Sequence, residues 1–252
     1  MNRDKELYRS VFNPMLLAPG RPLPREMAVI GAGTIGPDIG YYLKSALPEA
    51  RLHLVDVVQA PLDAARQRLE GYAQKAAERG KMKPEQAEAV LGNINYTLNY
   101  QDLAGCTLVI EAATENLPLK KKIFSQVEEI VGPEAILTSN TSSIPAARIF
   151  SHLKNPGRTT VTHFFAPAWR SLPVEVITWD QADQRVIDDL CWFFTRTGKV
   201  PLVTADAICF MLDRVFDNWC NESGHLLGEA SAAQIDQVAG EFVFAGPFYV
   251  LN

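Results

Sequence analysis

The sequence predicts an α/β fold: a doubly wound, mainly parallel sheet followed by part of an all-helical second domain. Two observations carry this prediction. Apolar runs of strand length alternate with longer helical patterns over residues 26–205, as expected when helices connect parallel strands. From about residue 208 onward the composition becomes typical of helices.

The predicted elements follow one another in a regular order. Strands are predicted at 27–30, 51–55, 94–98, 108–111, 135–139, 159–162, 174–178 and 200–203. Helices are predicted at 34–47, 62–80, 84–91, 119–131 and 183–196, and then from 208 to 238. Proline and glycine account for some of the ends. Pro48 stops the first helix, and Gly198 separates the fifth helix from the last strand.

We divide the chain into three segments. Residues 1–25 form an N-terminal arm, since the prolines between Ala18 and Pro24 prevent regular structure. Residues 26–205 form the main domain, and residues 206–252 begin a helical domain. A helical segment of this length is unable to bury its apolar face alone. We therefore expect the second domain to be truncated and the chain to be part of a longer polypeptide.

Charge and composition exclude several classes of function. The chain has 252 residues and a net charge of −5, so it lacks the basic surface that nucleic-acid binding requires. Its apolar runs are too short for a transmembrane helix, and its charged start is unlike a secretory signal. Four cysteines without Cys-x-x-Cys spacing and four scattered histidines predict reduced thiols in a cytoplasmic protein and no metal site. We expect neither nucleic acid nor a membrane as partner.

A glycine-rich turn directly follows the first strand and opens the first helix. It reads Gly31-Ala32-Gly33-Thr34-Ile35-Gly36, and Asp56 ends the second strand twenty residues later. In this context the first glycine makes a tight turn, the second lets a pyrophosphate approach the backbone, and the third lets helix and strand pack closely. Asp56 would accept hydrogen bonds from an adenosine ribose, and Val57-Val58-Gln59 offers no arginine to a 2′-phosphate. The segment predicts a Rossmann-type site for NAD rather than NADP.

A histidine and a carboxylate lie on two neighbouring strand-like runs. His163 follows the run 159–162, and Glu175 lies twelve residues later inside the run 174–178. If the two strands are adjacent, Glu175 reaches one ring nitrogen of His163 and leaves the other facing a cleft. That arrangement makes a general base. A buried structural pair is the alternative interpretation of the same spacing.

Several signatures, in order over residues 27–250, resemble the L-3-hydroxyacyl-CoA dehydrogenases of fatty-acid oxidation. Besides the glycine turn they are Val109-Ile110-Glu111-Ala112-Ala113-Thr114-Glu115-Asn116-Leu117 with Lys120, Ser139-Asn140-Thr141-Ser142-Ser143-Ile144, His163-Phe164-Phe165, Val174-Glu175-Val176-Ile177, Gly198-Lys199 and Gly246-Pro247-Phe248. The twenty-one residues from Ser142 to His163 are also similar to the family's spacing. The resemblance implies hydride transfer between NAD and the 3-hydroxy or 3-keto position of an acyl-CoA. It also implies a homodimer formed through the helical domain.

The resemblance implies roles for individual residues. His163 would take the proton of the 3-hydroxyl group, Glu175 would orient and support it, and Ser142 would hydrogen-bond the reacting oxygen. Helix capping ahead of Pro145 is the alternative for Ser142. The cofactor cleft would add to the glycine turn and Asp56 the residues Ala112, Ala113, Glu115, Lys120, Asn140 and Ser142. The acyl-CoA would contact Ser142, Asp213, Tyr72, Arg79 and Lys120, although an ordinary solvated face is the alternative for the residues of the long second helix.

The chain departs from the family pattern at three positions. Ala166 stands in place of the asparagine of His-Phe-Phe-Asn-Pro, and Asp213 stands in place of a substrate-contacting asparagine. Pro173 interrupts the strand just before the carboxylate. An ionised Asp213 only accepts hydrogen bonds, so beside a thioester oxygen it needs a proton or a partner such as Arg170 or Arg214. We expect altered substrate scope or reduced activity on simple straight-chain substrates.

Two alternatives to a 3-hydroxyacyl-CoA dehydrogenase stay open. One keeps the fold and the base but oxidises a hydroxy acid that carries no CoA, as gulonate-type relatives do. The other is a nucleotide-binding module without catalysis, which Ala166 and Asp213 favour and the pairing of His163 with Glu175 opposes.

Overall fold

The computed structural model describes residues 20–243 and 246–251, and this part of the chain contains eight strands and nine α-helices. The strands are β1 (Glu26–Ile30), β2 (Arg51–Val55), β3 (Ile94–Thr97), β4 (Leu108–Glu111), β5 (Ile136–Ser139), β6 (Thr159–Phe164), β7 (Pro173–Thr178) and β8 (Val200–Ala205). The helices are α1 (Gly36–Ala46), α2 (Gln59–Glu78), α3 (Pro84–Leu91), α4 (Leu117–Glu128), α5 (Ala146–Phe150), α6 (Gln184–Arg196), α7 (Leu212–Gly224), α8 (Ala232–Ala239) and α9 (Pro247–Leu251).

The strands form one sheet in the order β3-β2-β1-β4-β5-β6-β7-β8. Neighbouring strands are parallel except β6 and β7, which are antiparallel. The chain moves outward from β1 to β3 and then returns to continue on the other side from β4. This reversal between β1 and β4 opens a crevice at the carboxyl ends of the strands, where such sheets bind ligands. The predicted doubly wound, mainly parallel sheet is confirmed.

Apolar cores lie on both faces of the sheet, which explains why its strands read as nearly continuous apolar runs. Along β1, Met27 and Val29 belong to one core, whereas Ala28 and Ile30 belong to the other. The first core contains side chains of α1 and α6, and the second contains side chains of α4 and α5. Helix α6 shows the expected period, since Val186, Ile187, Leu190, Cys191 and Phe194 are all buried on its inner side.

The structure differs from the sequence-based prediction at four places, one of which is a short helix that was not predicted. Pro173 begins β7 and pairs with Val200, so it does not interrupt the strand, because proline is tolerated as the first residue of a strand. Helix α1 begins at Gly36, two residues later than predicted, since Thr34 and Ile35 still belong to the turn. Helix α2 begins three residues earlier than predicted. Helix α5 has only five residues, too few to show a helical period in the sequence.

The two ends of the described chain can be compared with the predicted N-terminal arm and the predicted helical domain. Residues 1–19 of the predicted arm lie outside the described residues. The end of the arm binds α6, because Gly20 N–H donates to Asp189 Oδ1 at 2.7 Å and Arg21 Nε donates to Oδ2 at 3.0 Å. Helices α7 to α9 follow β8, as the helical composition predicted. The domain boundary at 205/206 stays a prediction. None of the helices in the described residues combines the length and the apolar character needed to cross a bilayer.

Candidate active site

The carboxyl ends of β4, β5 and β6 and the turn after β1 meet around one cavity of about 340 Å³. Its walls are formed by Ile35, Ala112, Ala113, Glu115, Asn140, Ser142, His163, Phe164, Phe165 and Ala166. Predicted cofactor residues and the candidate base therefore border the same space, although they come from four separate segments of the chain.

The glycine turn has the geometry that its sequence predicts. Gly31 has a φ of +107°, and a Cβ atom there would lie 2.5 Å from the carbonyl oxygen of Ala112. A Cβ atom on Gly36 would lie 1.8 Å from the carbonyl oxygen of Gly31. Gly33 is different, because no atom lies within 4 Å of where its Cβ would be. The outer glycines permit the turn and its packing, and the middle one leaves the backbone open to a ligand.

The start of α1 offers hydrogen-bond donors beside this turn. Ile35 is the N-cap of α1, and no side chain in the described part of the chain caps the helix. The first N–H groups of a helix have no partner within the helix, and the helix dipole makes this end partially positive. The N-terminal end of α1 is therefore suited to bind a phosphate group of a dinucleotide.

Asp56 connects the end of β2 to the glycine turn. Its Oδ2 accepts a hydrogen bond of 2.8 Å from Ala32 N–H. Its Oδ1 accepts hydrogen bonds from the N–H groups of Val57 and Val58, at 2.7 and 3.1 Å. Each carboxylate oxygen has capacity for a further donor. Asp56 thus sits where a ribose hydroxyl of a dinucleotide could reach it, and it also holds the turn in shape.

Arg68 is a residue at this site that the sequence analysis did not identify. Its Nη1 donates to the carbonyl oxygen of Thr34 at 2.7 Å and lies 3.9 Å from Asp38 Oδ1. The guanidinium group therefore lies beside the glycine turn. No local pattern distinguishes Arg68 from the other basic residues of α2, so only the packing of α2 against the turn reveals its place.

His163 and Glu175 form a buried pair. They are directly opposite each other in the antiparallel register of β6 and β7, and His163 Nδ1 lies 2.8 Å from Glu175 Oε2. A carboxylate only accepts hydrogen bonds, so Nδ1 carries the proton and donates it. His163 Nε2 then keeps its lone pair. Because His163 lines the cavity, this nitrogen can accept a proton from a molecule bound there.

Glu175 also fixes the start of α7. Its Oε1 accepts hydrogen bonds from the N–H groups of Met211 and Leu212, at 3.0 and 2.8 Å. Burial alone would raise the pKa of this carboxyl, but the hydrogen bonds from His163, Leu212 and Met211 outweigh burial and hold the pKa below its usual value. Glu175 is therefore charged at neutral pH and can stabilise an imidazolium on His163.

Asp213 lies on the other side of the imidazole. Its Oδ2 is 3.8 Å from His163 Nε2, and its side chain is 29% exposed. Burial raises the pKa of Asp213, and the nearby carboxylates of Glu175 and Asp217 raise it further, while His163 opposes them. The cationic partner that we expected was Arg170 or Arg214. Within the described residues Asp213 instead faces His163 Nε2, which becomes a cationic partner only when it takes up a proton, and Glu175 anchors the first turn of α7 against the ring.

A buried ionic cluster supports one wall of the cavity. Lys120 Nζ lies 2.8 Å from Glu111 Oε1 and 3.3 Å from Glu115 Oε2, and the Lys120 side chain is 1% exposed. Thr141 Oγ1 donates to Glu115 as well. Burial would raise the pKa of Glu115, but the bonds from Thr141 and Lys120 lower it overall. The ammonium group is thus engaged within the protein, and the predicted contact of Lys120 with cofactor and substrate stays a prediction.

Asn140 and Ser142 follow β5 and line the cavity. Asn140 Oδ1 accepts a hydrogen bond of 2.9 Å from Phe164 N–H and so holds the end of β6 beside His163. Neither residue lies within α5, which begins at Ala146 with Pro145 as its N-cap. The structure therefore assigns the cap position to Pro145 rather than to Ser142.

Tyr72 and Arg79, both predicted to contact CoA, are placed differently. The hydroxyl of Tyr72 donates to Asp38 Oδ1 at 2.9 Å, and its ring packs against Trp169, with 5.3 Å between the ring centroids. Arg79 is exposed and caps the C-terminal end of α2. Neither residue lines the 340 Å³ cavity. Their contact with CoA stays a prediction.

Lys199 holds the loop 165–172 that follows β6. Its Nζ donates to the carbonyl oxygens of Ala168 and Ser171 and lies 4.4 Å from the centre of the Tyr42 ring. Burial lowers the pKa of Lys199 to about 8. Lys199 is therefore a positioning residue for the loop that carries Phe165 and Ala166 into the cavity wall.

Comparison with known proteins identifies the family. Residues 26–207 match the family model described as 3-hydroxyacyl-CoA dehydrogenase, NAD binding domain. A fatty acid oxidation complex subunit alpha from Psychrobacter cryohalolentis is 34% identical over 230 residues, which are 90% of this chain and 32% of that protein. The chain thus spans about a third of the length of the curated relatives it matches.

Solved structures are similar over the same region. The 3-hydroxybutyryl-CoA dehydrogenase of Escherichia coli K12 aligns with a TM-score of 0.82 and 31% identity, over 90% of this chain and 48% of that one. The (S)-3-hydroxybutyryl-CoA dehydrogenase of Ralstonia eutropha aligns with a TM-score of 0.81 and 29% identity, over 89% of this chain and 80% of that one. The glycine turn, the crevice at the carboxyl ends of the strands and these matches agree, and the chain belongs to the 3-hydroxyacyl-CoA dehydrogenase family through its NAD-binding domain.

Proposed function

We propose that the chain catalyses hydride transfer between NAD and the 3-hydroxy or 3-keto position of an acyl-CoA, with His163 as the base. The observation that carries this proposal is the orientation of His163. Glu175 holds Nδ1 at 2.8 Å, and the ring borders a cavity that the predicted cofactor residues also line. A histidine–glutamate pair with a purely structural role, buried away from any cleft, would not border a cavity lined by cofactor residues.

In the oxidation direction, the substrate hydroxyl donates its proton to Nε2 of His163. The imidazolium that results is stabilised by Glu175, which stays charged because its hydrogen bonds lower its pKa. Ser142, which lines the same cavity, is proposed to donate to the reacting oxygen and to orient the carbinol. In the reverse direction His163 returns the proton to the carbonyl oxygen.

The residues of the glycine turn fit NAD. We propose that the N–H groups at the start of α1 bind the pyrophosphate, that Gly33 allows its close approach, and that Asp56 accepts from the adenosine ribose. NAD, when bound there, supplies the hydride acceptor. Ala112, Ala113, Glu115 and Asn140 would form the wall toward the nicotinamide.

The acyl-CoA substrate is supported by the relatives, two of which are named 3-hydroxybutyryl-CoA dehydrogenases. A second candidate, a hydroxy acid without CoA, stays open because one observation counts against a thioester at this site. Asp213 places a carboxyl group 3.8 Å from His163 Nε2, and a carboxylate opposes a thioester oxygen. Protection of the chain against heat by acetoacetyl-CoA or free CoA separates the two, since a site for a non-CoA acid gives no protection.

The function is tested by following NADH absorbance with acetoacetyl-CoA. His163→Ala should lower kcat by about 10²- to 10⁴-fold, the usual contribution of a general acid or base, with little change in NADH affinity. His225→Ala is the matched control, since His225 lies beyond α7 and is exposed. Turnover by His163→Ala equal to that of the unmodified chain contradicts the proposal. NADH binding without turnover of either substrate class supports the non-catalytic module.

Two further expectations are part of the proposal. The free, mostly buried cysteines in the described residues suit a reducing compartment, and we propose a cytoplasmic location. We also propose a homodimer through the helical segment, because large apolar side chains of residues 206–252 are exposed, among them Val215, Leu226, Val238 and Phe242.

A further inference from the structure

Three potential metal ligands meet at the end of the sheet opposite the His163 cavity. Glu26 is the first residue of β1, His53 lies within β2, and Cys106 precedes β4. One ligand atom of each side chain lies within 4.8 Å of those of the other two. No metal site was expected from the sequence, because the cysteines lack Cys-x-x-Cys spacing and the histidines are scattered; 27 and 53 residues separate these three positions along the chain.

The sheet register explains how the three side chains meet. His53 pairs with Ala28, which is two residues after Glu26, so Glu26 and His53 lie on the same face of the sheet. Cys106 belongs to the apolar core on that face, together with Ala28. All three side chains therefore enter the same layer of the molecule, at the amino ends of parallel strands.

We propose that Glu26, His53 and Cys106 bind a divalent cation of the zinc class, through a carboxylate oxygen, an imidazole nitrogen and a thiolate sulfur. This set of ligands suits Zn²⁺ and related borderline cations, not Ca²⁺ or Mg²⁺, which prefer oxygen ligands. Ligand atoms around tetrahedral Zn²⁺ lie roughly 3.4–3.6 Å apart. His53 Nε2 and Glu26 Oε1 are 2.7 Å apart, and the three ligand atoms all lie within 4.8 Å of one another. Binding therefore requires that the nitrogen and the oxygen give up their hydrogen bond and separate, and that the Cys106 sulfur takes its place beside them.

The second nitrogen of His53 has a partner that can adapt to the cation. His53 Nδ1 lies 3.2 Å from Asn95 Nδ2, and the same amide lies 3.2 Å from Asp102 Oδ2. With a cation on Nε2, the imidazole proton sits on Nδ1 and needs an acceptor. A half turn of the Asn95 amide presents Oδ1 to that proton. It also puts an acceptor where a donor now lies 3.2 Å from Asp102 Oδ2, so the amide must move away from Asp102, which keeps its hydrogen bond from Thr97 Oγ1 at 2.6 Å. Such partners orient the histidines of metal sites. The thiol proton of Cys106 leaves to solvent.

The site has an entrance. The Glu26 side chain is 28% exposed and, with Gly105 and Thr107, lines a cavity of about 670 Å³, whereas His53 and Cys106 are buried. A Cβ atom on Gly105 would lie 2.5 Å from Glu26 Oε2, so the glycine leaves the carboxylate room to move. A cation can enter beside Glu26, and a water molecule can occupy the fourth position.

Cobalt titration of the chain, freed of any affinity tag and stripped with a chelator, tests the proposal. One equivalent of Co²⁺ should produce the near-ultraviolet thiolate-to-cobalt absorption and the visible bands of a tetrahedral ion, and Zn²⁺ should abolish both. Cys106→Ser should lose the near-ultraviolet band. Glu26→Gln, which keeps the size of a partly exposed side chain and so should fold, should weaken Co²⁺ affinity at least tenfold. Cys209→Ser, which alters the more accessible thiol, should keep the full spectrum.

Two results would overturn the proposal. One is the absence of a stoichiometric thiolate band in the unmodified chain, which would leave Glu26 and His53 as a hydrogen-bonded pair beside a thiol. The other is a thiolate band that persists in Cys106→Ser, or a Co²⁺ affinity that is unchanged in Glu26→Gln. Neither result bears on the dehydrogenase activity, because the His163 cavity lies at the carboxyl ends of the strands.

Discussion

At the scale of single residues, the imidazole of His163 lies between two carboxyl groups with different surroundings. Glu175 is fully buried, accepts hydrogen bonds at both oxygens and has a lowered pKa. Asp213 is partly exposed and has a pKa that burial raises. The first arrangement supports a charged carboxylate that orients the ring. The second places an acidic group at the nitrogen that must receive the substrate proton.

Asp213→Asn should improve activity on a simple thioester. An amide can donate to an oxygen that an ionised carboxylate repels, so we expect kcat/KM for acetoacetyl-CoA to rise by about tenfold, or about 1.4 kcal/mol of transition-state stabilisation. Steady-state kinetics with NADH measure it. Glu222→Gln, at an exposed position near the end of α7, is the control and should leave kcat/KM unchanged. Lower activity in Asp213→Asn would mean that the carboxyl group itself is required.

At the scale of elements, two short contacts decide how the site is assembled. The glycine turn packs backbone against backbone, and Glu175 joins β7 to the start of α7. Both contacts bring elements together that are distant in the sequence. The two contacts depend on different physical properties. The glycine turn requires that its residues have no side-chain atoms, whereas the contact of Glu175 with α7 depends on a buried charge.

Gly36→Ala should mainly lower the stability of the chain, whereas Gly33→Ala should mainly weaken NADH binding. The Cβ of Gly36→Ala would lie 1.8 Å from a backbone oxygen, so the turn must shift, and overpacking of this kind costs about 1–3 kcal/mol of unfolding free energy or more. Gly33→Ala has free space, so stability should change by less than about 0.5 kcal/mol. Its methyl group should instead raise the Kd for NADH by about tenfold, equal to about 1.4 kcal/mol.

Chemical denaturation and NADH fluorescence titration check this pair. Equal destabilisation by the two substitutions would show that the turn does not have the described geometry. Unchanged NADH affinity in Gly33→Ala would contradict the proposed approach of the pyrophosphate to that backbone.

Glu175→Gln should lower stability in a pH-dependent way. Loss of hydrogen bonds to a buried charged group costs about 1.5–3 kcal/mol at pH 7. The pKa of Glu175 is lower in the folded chain than its usual value of 4.5. Its contribution is therefore complete above pH 4.5 and is lost as the pH falls through the lower, folded-state value.

The difference in unfolding free energy between the unmodified chain and Glu175→Gln, measured by denaturant titration at several pH values, should shrink on acidification. Glu229→Gln is the control, because Glu229 is exposed and outside any helix. A difference that stays constant down to low pH would argue that the carboxylate gains nothing from folding.

At the scale of the whole molecule, apolar side chains are unevenly distributed. The side chains of the two cores on the faces of the sheet are buried, whereas the helical segment after β8 exposes Val215, Val238, Phe242 and Tyr249. Large exposed apolar patches mark contact surfaces. The helical segment is therefore where we expect this chain to associate with a second copy.

Sedimentation velocity should show a dimer, and Val238→Asp should convert it to a monomer, because an unpaired charge buried in an interface costs several kcal/mol. Val238 is 60% exposed in α8. Leu98→Asp, at a position 50% exposed next to β3, is the control and should stay dimeric. A monomeric unmodified chain would contradict the proposed homodimer.

The sequence by itself determined the order of the elements, the glycine turn and the pairing of His163 with Glu175. These features are local or depend on a two-residue alternation along neighbouring strands, so residue type and spacing encode them. The prediction that Pro173 interrupts its strand was wrong, because hydrogen bonding at the end of a strand depends on the neighbouring strands.

Only the tertiary structure decided the partners of Asp213, the place of Arg68 and the meeting of Glu26, His53 and Cys106. Each of these contacts joins side chains from separate elements, and its distance depends on sheet register and helix packing. The periodic patterns of the sequence hold no information on such distances, because the same residue types at the same spacing lie far apart in other folds.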